Sequence, residues 1–254
     1  GASGSTGHEQ VARAAPDGYT LVIGTASTMP GNVAYNEPKW DPIRDFTPVA
    51  ALTTESMSVI VHPSVPAKSV QELIALAKAK PGSLNMASFG NGSIAHLAGE
   101  LFKTMAGVDM THVPFQGSGP ALNAMIGGHV QVMFHTLSVS LPPVQSGKLR
   151  MLALTDSKRK PQLPDMPTVE ESGLPGYSAI TWLGLFGPAN LPKDVATLLS
   201  SEARKMLAKP EVRERLLKMS SEPSDGTPET LAANLSRDLA KWRKTIKDAG
   251  LKKE

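Results

Sequence analysis

Apolar positions along the chain alternate between two periods. Ile94, Leu97, Ala98, Leu101, Phe102 and Met105 recur at i, i+3, i+4 and i+7, one apolar face of a 3.6-residue helix. Ser93 stands at the N-cap position of that helix and Gly107 at its C-cap. Short apolar runs bounded by turn residues predict strands over 19–25, 58–63, 84–88, 110–115, 130–135, 149–155 and 181–188. Ser69-Val70-Gln71-Glu72 is a capping box opening a helix over Glu72–Lys80. Thr168-Val169-Glu170-Glu171 is a second, predicting a short helix ended by Gly173. Beyond 188 the pattern is helical. Thr227 as N-cap with Pro228 at N1 begins a helix whose buried stripe is Leu231, Leu235, Leu239, Trp242 and Ile246. Trp182 and Trp242 read as core or hinge aromatics. The alternation predicts an α/β fold with mainly parallel sheets.

Composition narrows the class. A chain of 254 residues makes one large or two modest domains, and 41% hydrophobic with 19% charged residues is that of a soluble globular protein. No apolar run approaches the length of a membrane helix, so the chain is not expected to be membrane-embedded. The opening Gly1-Ala2-Ser3-Gly4-Ser5-Thr6-Gly7 has neither the basic start nor the apolar core of a signal peptide. With no cysteine there is no disulfide, thiol nucleophile or Cys-based zinc site. The net charge of +3 slightly favours small anions. Lys205, Lys209, Arg213, Arg215 and Lys218 are scattered over helix faces without interleaved aromatics, so no nucleic-acid partner is expected.

Three strand-to-helix turns carry small polar residues: Thr25-Ala26-Ser27-Thr28-Met29, Ser88-Phe89-Gly90-Asn91-Gly92-Ser93, and Phe115-Gln116-Gly117-Ser118-Gly119-Pro120, the last predicted to place Pro120 at N1 of a helix. Ligands of open α/β sheets bind outside such carboxyl ends of strands, where helix N-termini offer N–H groups to anions. Any one turn is explained by capping alone. Three together, donor-rich and free of Lys and Arg, point to a site of hydroxyls and backbone N–H groups. Gly90-Asn91-Gly92-Ser93-Ile94-Ala95 fits the dinucleotide pattern G-x-G-x-x-G/A. The acidic residue that pattern needs at the end of the next strand is missing, because Asp109 precedes that strand, so the dinucleotide reading loses. No nucleophile elbow or phosphate loop occurs. His96, His112, His129 and His135 lack metal-ligand spacing, so neither metal nor cofactor is expected. His96 reads as a packing or capping residue, and His135 is open between rim contact and structural residue.

Several segments resemble the substrate-binding proteins of tripartite tricarboxylate transporters, the Bug family. They include Ala15-Pro16-Asp17-Gly18-Tyr19-Thr20-Leu21, Trp40-Asp41-Pro42-Ile43-Arg44-Asp45-Phe46-Thr47-Pro48-Val49 and His96-Leu97-Ala98-Gly99-Glu100-Leu101-Phe102. His112-Val113-Pro114-Phe115-Gln116-Gly117, Gly127-Gly128-His129-Val130 and Leu163-Pro164-Asp165-Met166-Pro167-Thr168 extend the resemblance along the whole chain. It implies a fold like the type II periplasmic binding proteins: two α/β domains, with mixed, mostly parallel sheets, joined by a two-strand hinge near 58–63 and 181–188. The implied domains are 1–58 with 186–254, and 59–185. The implied protein is periplasmic, monomeric and non-enzymatic, closing on a small carboxylate and delivering it to membrane transporter subunits. On that reading Ser88, Gly90, Asn91, Gly92 and Ser93 take a carboxylate at the helix N-terminus. Gln116, Gly117, Ser118, His135 and Thr136 line the same domain's side, and Ser27 and Thr28 close from the other. Relatives commonly carry Asp where this chain has His135. The family also places a strand, helix and strand before the glycine-rich opening, so a longer mature protein is expected. Rival readings are a sensor presenting its liganded form to a signalling receptor, and an enzyme on the same scaffold.

Overall fold

The computed structural model describes residues 4–252; of the glycine-rich opening stretch, residues 1–3 lie outside the described residues. The chain forms two compact units. One takes the residues up to Glu55, Thr181–Lys244 and Lys252; the other takes Ser56–Ile180 and Thr245–Leu251.

The second unit is built on strand β2 (Phe46–Val61), whose later half enters it. Helix α3 (Val70–Ala79) leads to β3 (Asn85–Ser88), α4 (Ile94–Ala106), β4 (Thr111–Pro114), α5 (Ser118–Ile126), β5 (Val132–Thr136), α6 (Leu137–Gln145) and β6 (Arg150–Leu154). β3 pairs in parallel with β4 and with β5. β2 runs antiparallel to both β5 and β6. The strand order is therefore β6-β2-β5-β3-β4, with β2 alone reversed in a sheet whose other strands share one direction. That sense follows from the chain: α4, α5 and α6 are crossovers that return each strand to the same end. A core of Ile60, Ala87, Met125, Met133, Leu149 and Leu154 fills one face. On the other face Phe102 of α4 meets Phe134 with ring centres 5.5 Å apart.

In the first unit, α1 (Ser5–Ala12) precedes β1 (Val22–Thr25), a π-helical turn (Ser27–Gly31) and α2 (Asn32–Asn36). β7 (Ile180–Pro188) lies between β1 and β2, antiparallel to β1. Then follow α7 (Lys193–Ala208), α8 (Pro210–Lys218), β8 (Ser221–Pro223) and α9 (Pro228–Asp248). In α9, Leu231, Leu235, Leu239 and Trp242 are buried as expected, while Thr245 is buried and Ile246 only half so. The Trp182 indole donates to Asp238 Oδ2 over 2.8 Å, both groups buried.

Several expectations are corrected. β2 starts at Phe46, not at 58; the run from Phe46 has no clean alternation and contains Pro48, which hides a strand. The units divide at 55/56 and 180/181, not at 58/59 and 185/186, and Thr245–Leu251 go with the second unit. The pairing explains the shift: Thr53–Glu55 pair with β8, whereas Met57 onward pairs with β5. Thr168–Glu171 makes both bonds of a capping box, Thr168 N–H to Glu171 Oε2 at 2.9 Å and Glu171 N–H to Thr168 Oγ1 at 3.1 Å, yet no helix follows. Gly173, Pro175 and Gly176 stop it within a turn. Pro120 is the third residue of α5, where the first turn still lacks acceptors and the missing N–H costs nothing. By contrast α4 runs Ile94–Ala106 with Ser93 Oγ accepting at the N-cap and Gly107 left-handed at the C-cap, as the periodicity predicts.

A Cβ on Gly184 of β7 would overlap the isopropyl group of Leu231 on α9. Gly184→Ala should therefore lower stability by about 1–3 kcal/mol through overpacking. Urea unfolding midpoints check this, and an unchanged midpoint would mean that α9 is not seated on β7 as described.

Candidate functional site

The carboxyl ends of β4, β3 and β5 are neighbours, so the loops leaving them are brought together in the second unit. Phe115 N–H donates to Ser88 O over 3.0 Å, tying the second loop to the first. Phe89 sets its ring edge against His135 at 4.7 Å, tying the first loop to the third. His135 Nε2 lies 2.9 Å from Ser118 Oγ, tying the third to the second. Gly90, at φ 122, is the position where the first loop doubles back; a Cβ there would press on Phe115 O at 3.3 Å.

Within this cluster many polar atoms are already engaged. Ser88 is fully buried, its hydroxyl 2.6 Å from His112 Nε2 and accepting Gly90 N–H at 3.2 Å. Gly92 donates its N–H to His96 Nδ1 over 3.1 Å, which fixes that ring as an acceptor there. Ser93 Oγ accepts His96 N–H over 3.3 Å. The His96 and His112 rings stack at 3.9 Å under the loop. Gln116 is exposed, and Gly117 (φ 110) precedes Ser118 at the start of α5. His135 Nδ1 is 3.3 Å from Thr136 O and 3.2 Å from Thr136 Oγ1. With Nδ1–H given to that carbonyl, Nε2 accepts the Ser118 hydroxyl. Asn91 completes the first loop.

Ser27 and Thr28 lie in the first unit, in the π-helical turn after β1. Their N–H groups both point to Thr25 Oγ1, at 3.2 and 3.0 Å, and Thr28 Oγ1 takes Thr25 N–H at 3.1 Å. Thr28 Oγ1 is also 3.5 Å from His8 Nε2.

The sequence reading missed His112, Phe89, Thr25 and His8 as organisers of these loops. The only available signal for His112 was its position on β4 next to the glycine-rich loop, and spacing alone does not reveal a cross-strand Ser–His bond. His96 does what its first-turn position suggested, packing and capping.

Burial decides the charge of the imidazoles. It lowers His96 to about 3, helped by the adjacent His112 and Lys103, and lowers His112 and His135 to about 4. All three are neutral near pH 7. The loops therefore carry no cation, and an anion there would be held by hydroxyls and N–H dipoles. Two Ser–His contacts look superficially like nucleophile and base. Ser88, however, is inaccessible, and among the described residues no carboxylate bonds Nδ1 of His112 or His135 to orient it.

These histidines make stability acid-sensitive. Their folded values lie below the ordinary 6.5, so the unfolded chain takes the protons first. Stability is complete above pH 6.5 and drains as pH falls toward 4. At pH 5 the loss should be about 1–2 kcal/mol for each of His96 and His135, and less for the half-buried His112. Urea unfolding at pH 7 and pH 5 should show it, diminished in His96→Asn; equal stability at the two pH values would contradict neutral, buried rings.

Comparison with known proteins agrees with this arrangement. The model of the tripartite tricarboxylate transporter family receptor matches residues 1–251. The Rhodopseudomonas palustris protein Rpa4515, solved with adipate, superposes with a TM-score of 0.90 at 34% identity, over 100% of this chain and 85% of that one. MatC (Rpa3494) from the same organism, with bound malate, gives 0.87 at 33% identity, over 97% and 85%. The periplasmic binding protein BugD gives 0.88 at 31% identity, over 100% and 86%. The α/β units with a mixed sheet are thus those of periplasmic binding proteins, and the chain belongs to the tripartite tricarboxylate transporter receptor family, the Bug-type solute-binding proteins.

Proposed function

We propose that the protein is a periplasmic receptor that captures a small carboxylate and hands it to the membrane subunits of a tripartite tricarboxylate-type transporter, without chemical change to the ligand. The observation that carries this reading is the convergence of three adjacent strand ends into donor-rich loops without Lys or Arg. Neutral donors hold a carboxylate firmly enough for capture and leave no fixed cation to retain it at release. The adipate and malate of the two solved relatives are of the same chemical class. Among the described residues no helix is long and apolar enough to cross a membrane, which agrees with a receptor that meets its transporter from outside.

In this reading Asn91, Gln116, Ser118 and Thr136 offer the polar contacts in the second unit. Gly90, Gly92 and Gly117 give the loops their shape, and Ser88, Ser93 and His135 hold them in place. Ser27 and Thr28 are the candidates in the first unit. A carboxylate hydrogen-bonded to Ser118 draws the hydroxyl proton away from His135 Nε2; the ring answers by moving its proton to Nε2 and accepting Thr136 Oγ1–H at Nδ1. The distances of 2.9 and 3.2 Å allow both arrangements without movement of the ring.

The test is a thermal-shift and calorimetric screen of carboxylates, beginning with adipate and malate. A ligand present at 100 times its Kd should add about 2.7 kcal/mol of stability. Ser118→Ala should weaken the best ligand by about 1–3 kcal/mol, the value of a charge-assisted hydrogen bond. If no carboxylate raises the melting temperature, the capture role is wrong; if one does and Ser118→Ala binds it unchanged, the role stands and the site assignment fails.

A further inference from the structure

The first unit holds a cavity of about 520 Å³ between α7, α8 and the segment before α9. Its walls include Ser201, Arg204 and Lys205 of α7, Arg213 of α8, and Ser224 with Asp225. None of these residues belongs to the loops described above.

The charges in this cavity are not equally available. Lys205 is paired with Glu202 at 2.7 Å. Asp225 has its carboxylate spent on capping: Oδ1 accepts Thr227 N–H at 2.9 Å and Thr227 Oγ1–H at 3.0 Å, and Oδ2 accepts Thr230 Oγ1–H at 2.6 Å. It attracts Arg204 through space, and that guanidinium helps to lower the Asp225 pKa, without offering it a hydrogen bond. Among the described residues, neither Arg204 nor Arg213 has a side-chain hydrogen bond or salt bridge. Arg204 is nevertheless held in place. Gly226, at φ 75, lets the chain pass so close that a Cβ there would overlap the Arg204 stem, and Ser200 Oγ donates to Gly226 O over 3.3 Å. Two arginines thus line one cavity of ligand size, one on each helix, with the Ser224 hydroxyl beside them, while the Ser201 hydroxyl is donated to Leu198 O over 2.8 Å.

We propose that this cavity binds a phosphate-bearing anion, free or as a lipid headgroup. One fork is enough for a carboxylate, whereas a phosphate group presents enough oxygens for two forks and for the Ser224 hydroxyl as a further donor. The site is independent of the carboxylate reading, because all of its residues lie in the first unit and none is a candidate contact of the loops.

Inorganic pyrophosphate titrated by calorimetry, and co-sedimentation with phosphatidylglycerol vesicles, test this at low salt and at about 0.15 M, where exposed pairs are partly screened. Binding of either probe should weaken about tenfold for Arg213→Gln and further for Arg204→Gln/Arg213→Gln, as charge-assisted bonds to a guanidinium are lost. Arg215→Gln removes the same charge from α8 outside the cavity and should leave binding within about twofold. Binding of pyrophosphate alone identifies a free phosphate ligand, and vesicle binding with weak pyrophosphate binding identifies a headgroup. Absence of both, or an equal loss in Arg215→Gln, overturns the site. Circular dichroism of each variant separates loss of binding from loss of fold, and Arg213→Gln, at an exposed position, keeps the test open if the Arg204 variant unfolds.

Discussion

One reversed strand organises the second unit. β2 runs antiparallel to β5 and β6, and from β3 onward the crossover helices α4, α5 and α6 deliver β4, β5 and β6 in the direction of β3. Because β3 pairs in parallel with both β4 and β5, the carboxyl ends of the three strands fall side by side. Three loops rich in Ser, Gly and Asn would otherwise be unrelated helix caps. The sheet makes them one surface. β2 carries this burden with a long apolar stretch: Met57, Val59, Ile60 and Val61 are all fully buried, as befits a strand covered on both faces. Its middle, Thr53–Glu55, pairs with β8, so a single strand contributes ladder bonds to both units.

The loops pay for their positions with polar atoms. Ser88, Ser93, Gly92 N–H, His96 and His112 are joined to one another, which leaves few orphan groups and a stiff backbone. Burial keeps the imidazoles uncharged, so each can accept where an imidazolium could not. Protonating His96 would turn Nδ1 into a donor facing the Gly92 N–H, and the loop would lose its anchor. The same burial that makes the rings useful acceptors makes the fold vulnerable to acid.

How legible this was in the sequence depended on range. Helix α4 was readable to the residue because its caps and its apolar stripe are local. The α/β class followed from alternation and the loops from their composition, whereas alternation alone predicted mainly parallel sheets and did not show that β2 is reversed. β2 was half hidden, since a strand shared between two units shows no period and Pro48 argues against it. The Thr168–Glu171 box was misread because its two hydrogen bonds need only four residues, while a helix needs a continuing apolar face that Gly173 and Pro175 remove. Ser118 and His135 were each singled out, but their bond was not, because it joins residues from different loops. Long-range partners of this kind are set by strand order, which no local pattern encodes.

The two halves of the charge distribution have different physical characters. In the second unit the polar groups of the loops are neutral, and those that fix the loops' geometry, Ser88, Ser93, His96 and His135, are buried. In the first unit the cations of α7 and α8 are exposed, and only Arg204 is seated firmly, over Gly226. Neutral, preorganised donors select by shape and lose little when salt rises, because their hydrogen bonds are local and shielded from solvent. Exposed guanidinium forks select by charge and weaken as salt rises. Donors of the first kind can discriminate among small anions that differ by a methylene or a hydroxyl, which a patch of exposed cations cannot do. The net charge of +3 therefore says little about these loops, since their polar groups contribute nothing to that charge.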